Sequence, residues 1–156
     1  MNAVAARVQA LQQAFDHIAR TRMAGLPLNN PRLEVATVDF RADEDGNFAL
    51  GVLVTPWCMN LLRLPLRDDQ DVLGVGITGT RDIGERRFDF IGAHEPGLGP
   101  FEASSLFSPM FEFANRAAAL ATAQEALKEL RGANAVRPPA QPARRGFLFG
   151  RSGAAA

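Results

Sequence analysis

Hydrophobic residues at helical spacing open the chain. They follow one another at steps of four, three, four and three residues, at Val4, Val8, Leu11, Phe15 and Ile18. This spacing places them on one face of a helix. We therefore predict an amphipathic helix from about Asn2, a candidate N-cap, to about Thr21, with Gly25 and Pro27 ending it.

The middle of the chain carries short apolar or alternating runs that predict strands rather than helices. The predicted strands cover residues 33–40, 48–55, 59–64, 86–94 and 101–107. An Asp-Gly pair, Asp45-Gly46, lies between the first two runs and predicts a hairpin. Residues 72–84 are rich in glycine and receive no assignment. The pattern indicates an antiparallel sheet of about five strands.

A second helix is expected near the end of the sheet-forming part. It begins at Phe113 or Asn115 and continues to Arg131 through alanine-rich sequence, and Gly132 is placed to end it. The order of helix, strands and helix predicts a single α+β domain over residues 1–132. Residues 133–156 form a linker rich in proline and alanine followed by an extended C-terminal tail rich in arginine and phenylalanine.

Charge and cysteine content narrow the possible functions. The chain has 17 basic and 17 acidic residues, and this balance gives no electrostatic reason to expect nucleic acid as a partner. A single cysteine, Cys58, excludes an internal disulfide and a cysteine-rich zinc site. No apolar run is long enough to span a membrane, and the N-terminus does not resemble a secretory signal. We therefore predict a cytoplasmic protein with no membrane insertion, no metal and no cofactor.

The sequence contains one literal nucleotide-binding pattern, GxGxxG, at residues 74–79. This motif binds pyrophosphate only when a helix follows it, because the helix N-terminus supplies the donors. Residues 80–84 lead instead into a strand-like run. A glycine-rich turn is the preferred interpretation.

His94 and Glu95 are the main candidates for catalysis. A histidine beside an acid can serve in general acid/base chemistry, which leaves a small hydrolase or isomerase as an alternative function. No nucleophile or oxyanion-stabilising motif accompanies the pair, and a solvated hairpin explains both residues. A metal site would need His17, Cys58 and His94 to converge from distant segments, and their spacing does not suggest it.

The segment 55–59, Thr-Pro-Trp-Cys-Met, places the only tryptophan directly after a proline that interrupts a buried strand. One interpretation is a bulge or bend with Trp57 in the core. The other is a cleft where a partner polypeptide rests on Trp57, with Met59, Met110 and Phe111 lining it. Both interpretations remain open, because the same residues would serve equally well as core.

The tail carries an unusual apolar run between arginines, Arg144-Arg145-Gly146-Phe147-Leu148-Phe149-Gly150-Arg151. Such a run needs a surface to cover it, either on its own domain or on a partner. The first five residues are similar to the twin-arginine export signature, although they lie at the wrong end of the chain for a signal. The tail is expected to dock as a strand or staple, or to imitate the signal of a client protein.

Four segments together resemble the HybE/HupJ family of NiFe-hydrogenase assembly chaperones. They are the opening helix at residues 8–20, Val-Thr-Pro-Trp at 54–57, Ser-Ser-Leu-Phe-Ser-Pro-Met at 104–110 and the tail signature at 144–151. The resemblance covers nearly the whole chain. It implies an accessory protein that holds the hydrogenase small subunit, whose precursor has a twin-arginine signal, and coordinates it with maturation of the large subunit. Some relatives carry a rubredoxin segment, but this chain lacks the cysteine pairs that such a segment requires.

We therefore expect a non-enzymatic protein that binds hydrogenase subunit precursors, with other maturation factors as further partners, and delays export until assembly is complete. A dimerising structural module is a further alternative, and the oligomeric state is open. Pairing of an extended client with an exposed sheet edge is one expected mode of binding. The predicted partner-binding residues are Trp57, Met59, Ser108, Pro109, Met110, Phe111, Arg144, Arg145, Phe147, Leu148, Phe149 and Arg151.

Overall fold

The computed structural model describes residues 2–132. Within this range the chain forms two helices and one sheet of six antiparallel strands, in the spatial order β1-β2-β3-β6-β5-β4. The elements in chain order are α1 (Ala3–Arg20), β1 (Ala36–Ala42), β2 (Phe48–Val54), β3 (Met59–Pro65), β4 (Thr78–Ile83), β5 (Arg86–Glu95), β6 (Gly99–Phe107) and α2 (Arg116–Arg131). The predicted α+β class is confirmed. The predicted tail lies outside the described residues.

Both helices begin at side-chain caps. The Asn2 side chain accepts a hydrogen bond from the main-chain N–H of Ala5 at 2.7 Å, and Asn115 accepts one from Ala118 at 2.8 Å. Each bond satisfies a donor that the first turn of a helix would otherwise leave unpaired. The predicted start of α1 at Asn2 is correct, and Asn115 rather than Phe113 precedes α2.

The core lies in two layers, one on each face of the sheet. On one face α2 packs its Ala123 and Leu127 against strand residues such as Val52 and Phe90. On the other face Leu11 of α1 packs with strand residues of a second cluster that includes Leu53, Leu62 and Phe101. β2 is buried on both faces, and its sequence is accordingly continuously apolar.

The sheet has one strand more than the five proposed from the sequence. The additional strand, β4, lies within the unassigned stretch of residues 72–84 and pairs with β5 along its whole length. Its side chains are at most half-buried, so it has no hydrophobic alternation for a sequence pattern to detect. Gly84, at φ 61°, makes the two-residue turn to β5, a position where glycine avoids strain.

Candidate polypeptide-binding surface

The segment 55–58 forms the connection between β2 and β3, at one end of the sheet. Main-chain N–H of Thr55 donates to the carbonyl oxygen of Cys58 at 2.8 Å. The Thr55 hydroxyl oxygen accepts from the N–H of Trp57 at 3.2 Å and of Cys58 at 2.9 Å. Thr55 is completely buried, whereas Trp57 is half-buried. The proline therefore does not produce a bulge within a strand but a closed turn that leaves Trp57 partly on the surface.

A buried asparagine joins this turn to the segment that follows β6. Main-chain N–H of Asn30 donates to the Pro56 carbonyl oxygen at 2.9 Å. The Asn30 side-chain amide donates to the carbonyl oxygens of Met110 and Phe113, each at 2.9 Å. Asn30 is only 4% exposed. Three segments that are distant in sequence thus meet at one residue, and two of them are the segments predicted to bind a partner.

Nothing in the sequence marks Asn30 as important. It lies in the loop after α1, as the second residue of an Asn-Asn-Pro run, where polar residues are ordinary. No periodic pattern distinguishes it from Asn29. Only the long-range contacts of its amide reveal its role.

The predicted partner-binding residues within the described range divide into core and surface. Met59 and Met110 are completely buried, so the structure corrects their place: they belong to the core beneath the surface and do not line it. Ser108 and Pro109, joined by a cis peptide bond, are exposed, and Phe111 is 55% exposed. We call Trp57, Ser108, Pro109 and Phe111 the Trp57 surface. Arg144, Arg145, Phe147, Leu148, Phe149 and Arg151 lie outside the described residues.

Cys58 has the environment of a packed thiol. Burial raises its pKa, and the hydrogen-bonding contact with the Thr55 hydroxyl, at 3.3 Å, only partly opposes this effect. A raised pKa keeps the side chain protonated at neutral pH, and a protonated thiol is a poor nucleophile. This agrees with the interpretation of Cys58 as a structural residue.

The candidate acid/base pair is not assembled for catalysis. His94 and Glu95 are neighbours in β5, so their side chains point to opposite faces of the strand. The Glu95 carboxylate forms an ion pair with Arg22 at 2.7 Å. It lines a groove of about 380 Å³ together with His17. Among residues 2–132, no group of three or more histidine, cysteine or acidic side chains is placed to hold a metal ion.

The GxGxxG segment leads into a strand and not into a helix. Ile77 is followed directly by β4, and the N–H of Gly92 in β5 donates to the carbonyl oxygen of Ile77 at 2.9 Å. The helix N-terminus that a pyrophosphate would need does not follow the motif. The close approach of this segment to the sheet depends on Gly92 of β5, where a Cβ atom would lie 2.2 Å from the carbonyl oxygens of Leu73 and Gly74.

A buried carboxylate that the sequence did not indicate holds this segment in place. Glu102 of β6 is completely buried and forms an ion pair with Arg63 of β3. Its two oxygens also accept from Arg81 of β4 at 3.1 and 2.8 Å, and from the N–H of Leu73 at 3.0 Å. The Arg63 guanidinium lies 3.9 Å from the centre of the Phe48 ring.

These contacts keep Glu102 ionised despite its position. Burial alone would raise its pKa, but the hydrogen bonds from Arg81 and Leu73 and the charge of Arg63 outweigh burial, so the pKa of Glu102 is lowered. One carboxylate therefore ties together β3, β4, β6 and the segment before β4.

The GxGxxG segment and the neighbouring part of β5 present apolar side chains to solvent. Val75 is 73% exposed and Ile77 is 57% exposed, and Ile91 of β5 is 44% exposed. All three lie beside Gly92: Val75 forms a β-bridge with it, Ile77 accepts its N–H, and Ile91 precedes it. The described part of the chain thus has a second group of exposed apolar residues, distant in sequence from those of the Trp57 surface. None of its helices is both long and apolar enough to cross a membrane.

Comparison with known proteins identifies the family of this α+β domain. Residues 6–150 match the model of the NiFe-hydrogenase assembly chaperone HybE. The chain belongs to this family of hydrogenase assembly chaperones, and the resemblance seen in the sequence is confirmed.

Curated relatives agree with this assignment. The chain is 47% identical to protein HoxT of Cupriavidus necator, over 93% of this chain and 89% of that protein. It is 36% identical to the hydrogenase expression/formation protein HupT of Azotobacter chroococcum, over 87% of this chain and 90% of the relative. The solution structure of HybE from Escherichia coli superposes with a TM-score of 0.64 at 20% identity, over 85% of this chain and 84% of HybE, which supports the fold.

Proposed function

We propose that this protein binds an incompletely assembled NiFe-hydrogenase subunit in the cytoplasm and delays its export until assembly is complete. The client is the small-subunit precursor, recognised through its folded part, its twin-arginine signal or both, and binding is coordinated with maturation of the large subunit. Membership of the hydrogenase assembly chaperone family supports the hydrogenase partner. The junction at Asn30, which bonds to the carbonyl oxygens of Pro56 next to Trp57 and of Met110 next to the exposed Phe111, supports binding of a polypeptide.

The geometry of the Trp57 surface suits reversible contact. Thr55 and Asn30 fix the backbone on which Trp57 and Phe111 are carried, so little conformational freedom is lost when a partner binds. Aromatic side chains provide most of the energy in many protein interfaces, and their contact needs no chemical step. No catalytic role follows from His94 and Glu95, whose side chains diverge. The arginine and phenylalanine residues of the tail remain predicted contacts.

A substitution at Phe111 tests the proposed surface. Replacing an exposed aromatic contact by a carboxylate, Phe111→Asp, should weaken client binding by about 2 kcal/mol, roughly thirtyfold in Kd. Because Phe111 is mostly exposed, the fold should be unaffected. The measurement is recovery of the hydrogenase small-subunit precursor, with and without its leader, and of the large subunit on the tagged full chain.

Ala121→Asp is the matched control, because it adds the same charge at an exposed position of α2. Recovery of neither hydrogenase subunit with the unaltered chain would contradict the proposed function. Equal recovery with Phe111→Asp and with the control would contradict only the proposed surface.

A further inference from the structure

The two edges of the sheet differ in how well they are protected. At the β1 edge, Asp39 adopts a positive φ of 50° and the register with β2 shifts between Val38 and Arg41. Arg41 and Arg131 both pair with the Asp39 carboxylate, at 2.9 and 3.0 Å. Such irregularities and charges are how proteins prevent another strand from adding to an edge. The β1 edge is thus closed to a partner strand.

The β4 edge has no such irregularity, and its two charged residues, Arg81 and Asp82, are already paired with Glu102 and Arg87. Its register with β5 is continuous from Thr78 to Ile83, without a bulge, and it contains neither proline nor lysine. Among residues 2–132, β4 pairs only with β5, so its outer side has no strand neighbour. A regular edge of this kind is a template for an added strand.

The main-chain groups available on this edge follow from the ladder. In an antiparallel pair, residues alternate between those that bond to the neighbouring strand and those that face away. Ile83 and Arg86 close the two-residue turn and therefore form a hydrogen-bonded pair. Going back along β4 from Ile83, every second residue bonds to β5. The residues in between direct their N–H and C=O groups outward, and they are Asp82, Thr80 and Thr78.

Exposed apolar side chains flank these groups. Val75 and Ile77 lie in the segment before β4, beside Gly92, and Ile91 lies opposite Thr78. Because neighbouring positions of a strand face opposite sides, Ile91 and Ile77 border the edge on opposite faces of the sheet. We call these three residues together with Thr78, Thr80 and Asp82 the β4 edge surface. Their position is built into the fold. A Cβ atom on Gly92 would lie 2.2 Å from the carbonyl oxygens of Leu73 and Gly74, so only glycine allows the segment to lie this close.

The charges of this surface define the partner. Asp82 is paired with Arg87 at 3.0 Å, and Arg81 is paired with the buried Glu102 at 2.8 Å. The exposed Asp89, opposite Thr80, leaves a carboxylate on this side of the strand pair. An acidic partner strand would be repelled there, whereas an apolar strand with neutral or basic residues fits.

We infer that the outer edge of β4 binds an extended, apolar segment of the hydrogenase small-subunit precursor. The segment has a neutral or basic charge and joins the six-stranded sheet as a seventh strand. The main chain of Thr78, Thr80 and Asp82 supplies the hydrogen bonds, and Val75, Ile77 and Ile91 supply apolar contact. This inference rests on the proposed function and names its mode of binding. An incompletely folded subunit offers such extended segments.

Hydrogen exchange of the full chain, alone and with purified hydrogenase small-subunit precursor or large subunit, tests the inference. The outward amides of Thr78, Thr80 and Asp82 should exchange quickly in the free chain and with the large subunit, and slowly in the complex with the small-subunit precursor. Thr80→Pro removes one outward donor at an edge position that tolerates proline, and it should abolish this protection. Thr80→Val is the matched control, because it keeps the N–H and a similar shape, and it should preserve the protection.

A second variant tests the inference even if Thr80→Pro fails to fold. Val75→Asp combined with Ile77→Asp leaves the backbone of β4 intact and should also abolish protection, while the exchange of core amides in β2 and β3 stays unchanged. A complex with the small-subunit precursor that forms without protection at Thr78–Asp82 would overturn the inference and leave the proposed function standing. Absence of any complex would overturn both.

Two other results would also overturn the inference by assigning the edge to a different occupant. Protection in the free chain that disappears on dilution would show pairing with a second copy of the protein. Protection in the free chain that disappears in Phe147→Ala with Phe149→Ala would show that the chain's own tail occupies the edge.

Discussion

The Asn30 side chain bonds to the segment that follows β6 through two hydrogen bonds that no apolar residue could replace. Without its amide, the carbonyl oxygens of Met110 and Phe113 would be buried and unpaired. An unsatisfied buried carbonyl costs more than the lost bond itself, because it was desolvated on folding. The position of the Trp57 surface therefore depends on a residue that does not belong to it.

Replacing Asn30 by alanine should lower the free energy of unfolding by about 3 kcal/mol, since two buried acceptors lose their donor. Urea denaturation of the full chain measures this change. Asn29→Ala is the natural comparison, because the Asn29 amide makes one bond, to the Met23 carbonyl oxygen, and its loss should cost about 1 kcal/mol. Equal effects of the two substitutions would contradict the role assigned to Asn30.

Glu102 gives the fold a dependence on pH. Because its folded-state pKa is lowered, the group contributes stability above its unfolded pKa of about 4.3, and this contribution is lost as pH falls through the folded value. Glu102→Gln removes the charge and leaves two arginines facing a neutral group, which should cost about 3 kcal/mol at pH 7. Denaturation at a series of pH values should show a smaller loss of stability below about pH 4 in this variant than in the unaltered chain.

Asp82→Asn provides the control for Glu102, since Asp82 also pairs with an arginine but on the surface. Water screens such pairs, so little change in stability is expected at either pH. A parallel pH dependence of Glu102→Gln and the unaltered chain would show that other groups govern acid unfolding.

At the level of elements, the sequence predicted the helices and strands whose buried residues form a recognisable apolar pattern. α1 and α2 each carry a stripe of apolar residues and an asparagine cap, and β2 and β3 are nearly continuously apolar. β4 could not be found, because its stability comes from pairing with β5 and from the Arg81–Glu102 contact. Propensity says nothing about contacts of that kind.

The candidate surface was predictable in part for the same reason. The Thr-Pro-Trp-Cys segment and Ser108–Phe111 were recognised as unusual, and the structure brings them together. Whether their methionines lie inside or outside was not predictable, because an apolar side chain suits either place. The contacts of Asn30 and Glu102 join residues 80 and 39 positions apart, and single-sequence patterns do not report such distances.

Gly92 tests how the segment before β4 is positioned. In Gly92→Ala the new methyl group would meet two carbonyl oxygens at 2.2 Å, so the segment must move away, at a cost of about 2 kcal/mol. Gly74→Ala is the control, because its methyl group would meet only the Ile77 side chain at 3.4 Å. Thermal unfolding should show a lower Tm for Gly92→Ala but not for Gly74→Ala. Faster hydrogen exchange of the Leu73 amide in Gly92→Ala would show that this segment has moved.

At the scale of the whole molecule, residues 2–132 carry exposed apolar side chains on two proposed binding surfaces in different parts of the fold, and at Leu26 and Leu28 in the loop after α1. The Trp57 surface lies where β2 and β6 end and β3 begins. The β4 edge surface lies on the edge strand β4. Contacts made at two places by one client combine, because binding at the first raises the effective concentration at the second. Two weak contacts would give firm binding that is lost when assembly withdraws either one.

The half-buried Cys58 adjoins Trp57 and is the sole sulfhydryl of the chain, so the protein carries its own chemical reporter of occupancy. Its high pKa means that iodoacetamide should alkylate it slowly at neutral pH and faster as the solution becomes more alkaline. A bound client that covers Trp57 would shield the sulfur further. The rate of alkylation, followed by intact-mass spectrometry, should therefore fall when the precursor is added, and an unchanged rate would indicate that the client binds elsewhere.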